Sequence, residues 1–455
     1  MSLQIVILAA GAGKRMFSQK PKVLHTLAGK PMLARVVDVA TQLNPDAIHI
    51  IYGHGGEQIK KELVNLPVNW VLQEEQLGTG HAVLQALPHI PDSAKVLVLS
   101  ADVPLIQLGT LRALIDATIK ESAALSLLLA NLDNPTGLGR IVRDEQGHIR
   151  AIVEEKDASA TQKQIKEIYS GICCAEAGDL GRWLPQLSSH NAQGEYYLTD
   201  IIALAVAENK PIVSLAAEDV TEIRGVNNRL QLQQLERIWQ QRQAEELLLS
   251  GVSIADAARI DIRGKLSAGE DVFIDVNCVF NGDVVLGDNC IIGPNCTLSN
   301  VTLGNGSEIL ANSVLEDSTL GKNCRIGPFA RLRPGTELAD NCKIGNFVET
   351  KNAHFGEGSK ASHLSYLGDV TLGKAVNIGA GTITCNYDGV NKHQTLIEDG
   401  VFVGSDTQFI APVKIGANAT IGAGSTIRKD VPAGELTLTE SKQKTVWGWK
   451  RPIKR

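Results

Sequence analysis

The first half of the chain alternates short apolar runs with stretches of helical spacing, and the two periods predict different elements. Runs rich in Ile, Val and Leu predict β-strands at residues 4–9, 47–52, 68–73 and 95–100. Apolar residues at helical spacing predict helices over residues 31–43 and 80–87. Strands that alternate with helices are typical of an α/β domain around a mostly parallel sheet.

Hydrophobic residues in the second half recur every six positions. Three sets have this spacing: Ile274, Phe280, Leu286, Ile292 and Leu298; Leu320, Ile326, Leu332, Leu338 and Ile344; Ile397, Val403, Phe409, Ile415, Ile421 and Ile427. A period of six fits neither a helix nor a hairpin array, and it predicts a triangular, left-handed parallel β-helix. Three faces make a coil of about 18 residues, so residues 270–432 hold about nine coils. The longest break in the repeat, residues 351–370, predicts a loop that projects from the solenoid.

These patterns divide the 455 residues into three parts, and a chain of this length exceeds what one core usually serves. Residues 1–227 form the Rossmann-like α/β domain, and residues 251–455 form the β-helix with a C-terminal tail. Residues 228–250 lack Gly and Pro, are rich in Leu, Gln, Glu and Arg, and allow one apolar stripe. They predict a linker helix.

Charge and composition exclude several classes of protein. The 44 basic and 50 acidic residues leave a net charge of −6, which argues against a nucleic-acid binder held by bulk charge, though not against a local basic site. No apolar run approaches the roughly 18 residues of a membrane span. No cation precedes the apolar N-terminus, so we interpret it as a strand and not as a signal peptide. The eight cysteines have no CxxC spacing, and reduced thiols in a cytoplasm are the simpler interpretation.

A candidate phosphate site follows the first strand. Residues 8–16 read LAAGAGKRM, and Lys22 comes seven residues after Arg15. Glycines let backbone N–H groups approach a polyphosphate, while cations neutralise its charge. The GKS/T ending of a Walker A loop is absent. Taken alone, the segment could also be a turn that has only a structural role.

This segment resembles the signature of nucleotidyltransferases that make nucleoside-diphosphate sugars, and residues 73–82 (QEEQLGTGHA) are similar to their base-reading segment. Together with the hexapeptide half, almost the entire chain resembles the bacterial family of bifunctional N-acetylglucosamine-1-phosphate uridyltransferase/glucosamine-1-phosphate N-acetyltransferases. The resemblance implies that the β-helix transfers acetyl from acetyl-coenzyme A to glucosamine 1-phosphate. The α/β domain then transfers uridylyl from UTP to N-acetylglucosamine 1-phosphate and releases pyrophosphate.

Asp102 is the candidate metal ligand of the first half. It follows the predicted strand at the edge where open α/β sheets bind ligands. From its position alone, capping the helix after Pro104 is an equal alternative. The resemblance makes Asp102 a Mg²⁺ ligand with Asn227 as the second, and a carboxylate with a neutral oxygen suits that ion. In the implied reaction the sugar phosphate attacks the α-phosphorus of UTP in line, while Arg15 and Lys22 act as catalytic residues that stabilise developing charge.

The resemblance also implies where substrates bind the α/β domain. The implied residues are Leu8, Gly11, Lys22, Gln73, Gly78, Thr79, Gly139, Glu154, Tyr169 and Asn227. Without the resemblance, Gly139 would be interpreted as part of a hairpin turn and Glu154 as a solvent-exposed acid. Tyr169 departs from the family, which usually has Asn there, and a phenol offers the ligand no amide.

The candidate acetyl-transfer residues lie in and after the break in the repeat. A single loop histidine such as His363 is more often surface decoration, but Arg333, Lys351 and Lys392 place three cations around the same region. A sugar phosphate needs cations, and amine acetylation needs a base near neutral pH. By resemblance, His363 takes the proton of the attacking amine. The implied sugar-phosphate contacts are Arg333, Lys351, Tyr366, Asn377, Asn386, Tyr387 and Lys392.

The resemblance implies a coenzyme site further along the solenoid. Its residues are Ala380, Ser405, Ala423 and Glu440. The N–H of Ala380 would face the thioester oxyanion. Glu440 departs from the family, which often has Arg there, and its charge repels the coenzyme 3′-phosphate; Lys442 and Lys444 lie close enough to compensate. The tail at 447–452 is either frayed or an arm on a neighbouring chain, and family members form trimers.

We therefore predict a cytoplasmic, homotrimeric, Mg²⁺-dependent bifunctional enzyme with no membrane span and no nucleic-acid partner. Its product would serve peptidoglycan, cell-wall and lipopolysaccharide synthesis. One rival hypothesis is a sugar-nucleotide pyrophosphorylase whose β-helix is only a scaffold, which would not need His363 and Tyr366. The other is a non-catalytic binding protein, against which the intact Lys22 and Asp102 argue.

Overall fold

A computed structural model describes residues 2–11, 13–53 and 55–454. The chain forms two compact units, one up to Trp239 and one from Gln240 onward. Their boundary falls inside the helix Arg229–Leu249. Ala12, in the Gly-rich segment, lies outside the described residues.

A nine-stranded sheet is the centre of the first unit within the described residues. Its main path runs Ile212–Ala216, Leu125–Asn131, Glu167–Glu176, Lys95–Ser100, Leu3–Leu8, Ala47–Tyr52, Asn69–Leu72. Only Glu167–Glu176 runs antiparallel to its neighbours on this path. The hairpin Arg140–Arg143 and Ile149–Val153 pairs with that strand. A separate two-stranded ribbon joins Thr26–Leu27 to Lys30–Pro31.

Helices cover both faces of this sheet. They are Met32–Thr41, Gly56–Glu62, Thr79–Ala86, Leu108–Lys120, Ala177–Trp183 and Ile201–Ala207, with short 3₁₀ turns at Lys14–Met16, Lys22–Leu24, Leu87–His89, Gln162–Gln164, Leu184–Gln186 and Leu198–Asp200. Alternate residues of the first strand enter two cores, with Ile5 and Ile7 on one face and Val6 on the other. Burial on both faces explains why the central strands are continuous apolar runs. The predicted strands and helices are confirmed, with ends that differ by at most two residues.

Parallel pairing brings the loops that carry the candidate motifs to one edge of the sheet. Leu8 pairs with Ile51 on one side and with Ser100 on the other. Tyr52 in turn pairs with Leu72. The Gly-rich segment, the segment after Leu72 and the Asp102 loop therefore leave the sheet side by side.

The second unit is a left-handed parallel β-helix built from two long sheets of described residues. One has eleven strands, Ser253–Ile254, Phe273–Ile274, Ile291–Ile292, Glu308–Ile309, Arg325–Ile326, Lys343–Asn346, Lys360–His363, Asn377–Ile378, Phe402–Val403, Thr420–Ile421 and Leu436–Thr437. The other has thirteen, Ile260–Ala268, Cys278–Leu286, Thr297–Leu303, Val314–Leu320, Arg331–Leu332, Thr336–Leu338, Glu349–Phe355, Tyr366–Leu372, Ile383–Cys385, Thr395–Ile397, Gln408–Ile410, Val413–Ile415 and Thr426–Ile427. This second sheet bends around a corner, since Val314–Leu320 pairs with two short strands in succession. The predicted β-helix is therefore confirmed.

The inward positions form one continuous core along the solenoid. Every residue of the three sets that recur at a spacing of six is buried. Most coils contain 17 or 18 residues, since Ile274 pairs with Ile292 but Ile309 pairs with Ile326. All eight cysteines are free thiols, in keeping with the sequence-based prediction. No helix of the described residues is long and apolar enough to cross a bilayer.

The prediction of a projecting loop at 351–370 is wrong. That segment continues the coils, because Ala353 pairs with Val370 and Ala361 pairs with Ile378. Alanines fill inward positions that the aliphatic pattern left vacant, and both are fully buried. The excursion lies later, at residues 386–394, so that the partners Leu372 and Ile397 are 25 residues apart.

The continuous core of the β-helix predicts that replacing a buried phenylalanine destabilises the protein far more than replacing an exposed one. Phe409 is fully buried, whereas Phe402 is 52% exposed. We expect Phe409→Ala to lower the free energy of unfolding by about 3–5 kcal/mol, because it leaves a cavity between coils. Phe402→Ala, the matched control, changes it by no more than about 0.5 kcal/mol. Urea unfolding of the full chain measures both, and equal losses would contradict this packing.

Candidate functional sites

A cavity of about 260 Å³ opens at the edge of the first sheet where the parallel strands end. Its lining residues are Leu8, Ala9, Ala10, Gly11, Lys22, Val23, Gln73, Gln76, Gly78, Thr79, Ala82, Ser100, Asp102 and Glu195. Most of the residues assigned to nucleotide and metal binding from the sequence are therefore brought together here. The side chains of Gln76 and Glu195 were not anticipated.

Asp102 lies among cations and not at a helix terminus. Its Oδ2 accepts a hydrogen bond from Lys22 Nζ at 2.5 Å. Its backbone oxygen accepts from Val226 N at 2.9 Å, which holds the following Asn227 nearby. Arg15 Nη2 donates to Asn227 Oδ1 at 3.0 Å. The next helix, Leu108–Lys120, has no side-chain cap, so the capping alternative for Asp102 is wrong.

Asp102 and Asn227 present the donor atoms of a small hard cation. One gives carboxylate oxygens and the other an amide oxygen, both of which Mg²⁺ accepts. Within the described residues there is no group of three or more His, Cys, Asp or Glu side chains arranged for a metal. Such a cation would therefore depend on phosphate and water for its remaining ligands.

The segment after Leu72 is held rigidly against a second segment. Gln73 Nε2 donates to Gly78 O at 3.1 Å, and Tyr196 N donates to Leu77 O at 2.7 Å. Gly78 has φ +112°, and a Cβ there would lie 2.6 Å from Tyr196 O. Glycine is therefore required at this position. Thr79 Oγ1 accepts from Leu198 N at 3.0 Å and completes the attachment.

Gly139, Glu154 and Tyr169 converge, although they come from three strands or loops. Tyr169 N donates to Gly139 O at 3.0 Å, and a Cβ at Gly139 would lie 3.5 Å from Glu154 Oε1. Glu154 accepts from Thr199 Oγ1 at 3.3 Å, and burial raises the pKa of its carboxyl. The Tyr169 ring is packed in the core and its phenol interacts with Cys173, while burial raises its pKa well above the ordinary value.

One corner of the β-helix stacks the candidate base on the candidate coenzyme residues. Asn346 pairs with His363 on the next coil. Gly381 N donates to Leu364 O at 3.1 Å, and this places residue 380 on the coil after His363. Asp406 N donates to Ala380 O at 2.7 Å, and Gly424 N donates to Ser405 O at 2.8 Å. The corner is therefore a ladder in the order Asn346, His363, Ala380, Ser405 and Ala423.

His363 is oriented by a neighbour that the sequence did not single out. Its Nδ1 lies 2.7 Å from Asn346 Oδ1. A carbonyl oxygen accepts, so Nδ1 carries the proton, and in the neutral imidazole Nε2 is the nitrogen with the lone pair. Gly345 permits the close approach of the two coils, because a Cβ there would collide with Ser362 O.

The three predicted cations meet on an adjacent face. Contact with Lys392, and then the charge of Arg333, lower the pKa of Lys351. Arg333 Nη1 donates to Glu349 Oε1 at 2.8 Å. A partly exposed cluster of three cations, with the acids Glu349 and Asp369 beside it, is suited to an anion of two charges, such as a phosphomonoester.

The other predicted sugar-phosphate residues lie on the same coil or on the coils that follow. A Cβ at Gly368 would collide with the Tyr366 hydroxyl and lie 2.9 Å from Asn386 Nδ2. Asn386 Nδ2 donates to Asp369 Oδ2 at 2.5 Å. Tyr387 is exposed in the projecting loop, and its hydroxyl donates to the Gly389 carbonyl. Asn377 lies on the coil above Lys360.

Glu440 lies in the exposed tail beyond the last strand, and Lys442 and Lys444 are exposed as well. The preceding residue, Thr439, is joined to the solenoid by its N–H, which donates to Ser425 Oγ at 3.1 Å. The structure therefore anchors the chain up to the residue before Glu440.

Comparison with known proteins assigns the chain to a family. Models for a MobA-like NTP transferase domain, a GMPPB C-terminal domain and a bacterial transferase hexapeptide match residues 5–162, 262–352 and 394–429. The Bifunctional protein GlmU of Legionella pneumophila (strain Corby) is 69% identical over 458 residues, covering 100% of this chain and 99% of that protein. The chain belongs to the GlmU family. The GlmU of Marinobacter nauticus is 58% identical, with 99% of each chain covered.

GlmU membership confirms the bifunctional transferase expected from the motifs, with uridyltransferase and acetyltransferase activity in one chain. It makes the scaffold and the non-catalytic binding hypotheses wrong for this chain. A solved UDP-glucose pyrophosphorylase complexed with UDP-glucose aligns over 53% of this chain and 100% of its own, at 15% identity and a TM-score of 0.44. At that score the likeness carries no argument here.

The negative charges of the two neighbouring acids, Glu154 and Glu155, have opposite effects on the stability of the fold. Burial raises the pKa of Glu154, so its charged form costs free energy in the folded state above that pKa. Hydrogen bonds from Gly137 N and Arg140 lower the pKa of Glu155, so its charged form is stabilising above its unfolded pKa.

At neutral pH we therefore expect Glu154→Gln to raise the free energy of unfolding and Glu155→Gln to lower it. Both differences diminish as the pH falls and the carboxyls of the unmodified chain become protonated. Urea unfolding at about pH 7.5 and at about pH 4, near the ordinary pKa of a carboxyl group, measures these differences. A loss of stability in Glu154→Gln at neutral pH would contradict the assignment.

Proposed function

We infer that the two activities occupy separate sites, one in each unit. The single observation that carries this inference is the ladder that joins His363 to Asn346 on one coil and to Ala380 on the next. It provides an oriented base, a neighbouring backbone donor and nearby cations without any residue of the first unit. The nucleotide cavity is likewise complete without any residue of the β-helix.

In the first unit, UTP binds in the cavity with its base against Gln73 and Gly78 and its phosphates near Gly11 and Lys22. N-acetylglucosamine 1-phosphate binds beside Gly139 and Glu154. Its phosphate oxygen attacks the α-phosphorus in line, the bond to the β-phosphate oxygen breaks, and pyrophosphate leaves. Lys22 Nζ, within reach of the Asp102 carboxylate, is positioned to neutralise the charge that develops.

Asp102 and Asn227 would hold Mg²⁺. That ion supplies electrostatic stabilisation of phosphate charge when it is bound. Lys22 and Arg15 contact these two oxygen donors in the structure, so the same side chains are placed to turn toward the phosphates. The oxygen donors therefore suit Mg²⁺, and the neighbouring cationic side chains suit the phosphates that accompany it.

In the β-helix, glucosamine 1-phosphate binds with its phosphate among Arg333, Lys351 and Lys392. His363 Nε2 takes a proton from the amine as the nitrogen attacks the acetyl carbonyl of acetyl-coenzyme A. The carbon–sulfur bond then breaks and coenzyme A leaves. The N–H of Ala380, one coil away from His363, stabilises the oxyanion.

Tyr366, Asn377, Asn386 and Tyr387 complete the sugar pocket, while Ser405, Ala423 and the tail at Glu440 line the coenzyme. The acetylated product is the substrate of the first unit, which fixes the order of the two steps. We place the enzyme in the cytoplasm, as a homotrimer that supplies UDP-N-acetylglucosamine to peptidoglycan and lipopolysaccharide synthesis. The free thiols support a reducing compartment.

Two substitutions in the full chain test the separation of the sites. Asp102→Ala lowers pyrophosphate release by at least about a hundredfold, because phosphate charge loses its stabilisation, and leaves acetyl transfer unchanged. His363→Ala lowers the kcat of acetyl transfer by about a hundredfold or more and leaves uridylyl transfer unchanged.

Each variant is the control for the other, since both carry one intact reaction. Thiol release from acetyl-coenzyme A measures the first step, and pyrophosphate release from UTP measures the second. Loss of both reactions in a folded variant would contradict separate sites. A normal acetyl-transfer kcat in His363→Ala would remove His363 as the base.

A further inference from the structure

The projecting loop at residues 386–394 is closed by contacts of its own. Tyr387 and Lys392 form an isolated antiparallel bridge. His393 N donates to Asn386 O at 2.8 Å, and Asp388 N donates to Asn391 O at 3.1 Å. These bonds set the shape of the loop that carries Lys392.

One contact between two side chains crosses the base of this loop. His393 Nε2 lies 2.7 Å from Asp388 Oδ2. The other carboxylate oxygen of Asp388 accepts from Val390 N at 2.8 Å and from Asn391 N at 2.7 Å. His393, followed by these backbone donors, keeps the pKa of Asp388 well below its ordinary range. Asp388 is therefore the anion on which the loop is organised.

The loop needs this stabilising contact because it places the positive charge of Lys392 beside other cations. Lys392 contacts Lys351, and Arg333 is close enough to act on the same ammonium. Before an anion arrives, these three cations repel one another, and the repulsion favours a loop that swings Lys392 away. A phosphate that binds the open loop has to bring Lys392 back.

We propose that the Asp388–His393 pair is a latch that positions Lys392 over Lys351 and Arg333 and so preorganises the phosphate subsite of the acetyl acceptor. Neither latch residue touches the reacting atoms; both act through the loop. The inference rests on the proposed placement of glucosamine 1-phosphate at these cations.

The latch predicts a change in substrate affinity and not in chemistry. In His393→Ala and in Asp388→Asn, the KM for glucosamine 1-phosphate rises about threefold, as expected for the loss of a partly exposed contact between two polar side chains, while kcat stays unchanged. The inhibition constant of inorganic phosphate, used as a competitor, rises by the same factor. The double variant is no worse than either single one, because both remove the same interaction. His393→Lys again gives Asp388 a side-chain donor and lowers KM relative to His393→Ala.

The β-helix offers a matched control. His354 Nδ1 lies 3.2 Å from Glu337 Oε2, an exposed histidine–acid pair of the same kind between adjacent coils. His354→Ala leaves both KM and kcat unchanged. Thiol release by the full chain measures all of these variants.

The outcomes separate the latch from the site on which it rests. An unchanged KM in His393→Ala and Asp388→Asn overturns the latch, as does a fall in kcat at constant KM or an equal rise in His354→Ala. If inorganic phosphate fails to compete with glucosamine 1-phosphate in the unmodified chain, the proposed phosphate site itself is wrong.

Discussion

The hydrogen-bonded stacking of one coil on the next is the constraint on which the acetyl site depends. Backbone pairing fixes the spacing between coils, so residues 17 or 18 positions apart become neighbours. Asn346 reaches His363, and His363 lies next to the coil of Ala380, because each coil has a set length. A change of one residue in a coil would place a different side chain beside the base.

In the nucleotide cavity, residues that are distant in sequence are brought together by the ends of parallel strands and not by stacked coils. Parallel strands end at one edge, so loops that are far apart in sequence meet there. Close contacts such as that of Gly78 with Tyr196 then fix the loops relative to one another. In both units regular backbone pairing positions the chemistry.

Much of this architecture was predictable, because strands, helices and coils leave periodic apolar patterns. The prediction of a projecting loop at residues 351–370 is wrong because the inward positions 353 and 361 hold alanines, which do not stand out in a pattern of large aliphatic residues. The Asn346–His363 contact was missed for a related reason, since a uniform 18-residue coil would place residue 345 beside His363. The latch between Asp388 and His393 has no periodic signal at all, because local hydrogen bonds shape the projecting loop. Tyr169 departs from the family by residue type, but only the structure shows that its ring enters the core.

The central claim is that the β-helix itself forms the acetyl-acceptor site at consecutive coils. A crystal structure of the full chain with glucosamine 1-phosphate and coenzyme A tests this most directly. We predict phosphate density in contact with Arg333, Lys351 and Lys392, and an amine nitrogen within hydrogen-bond distance of His363 Nε2. A sugar phosphate bound away from these cations, or an amine facing a residue other than His363, would contradict the account.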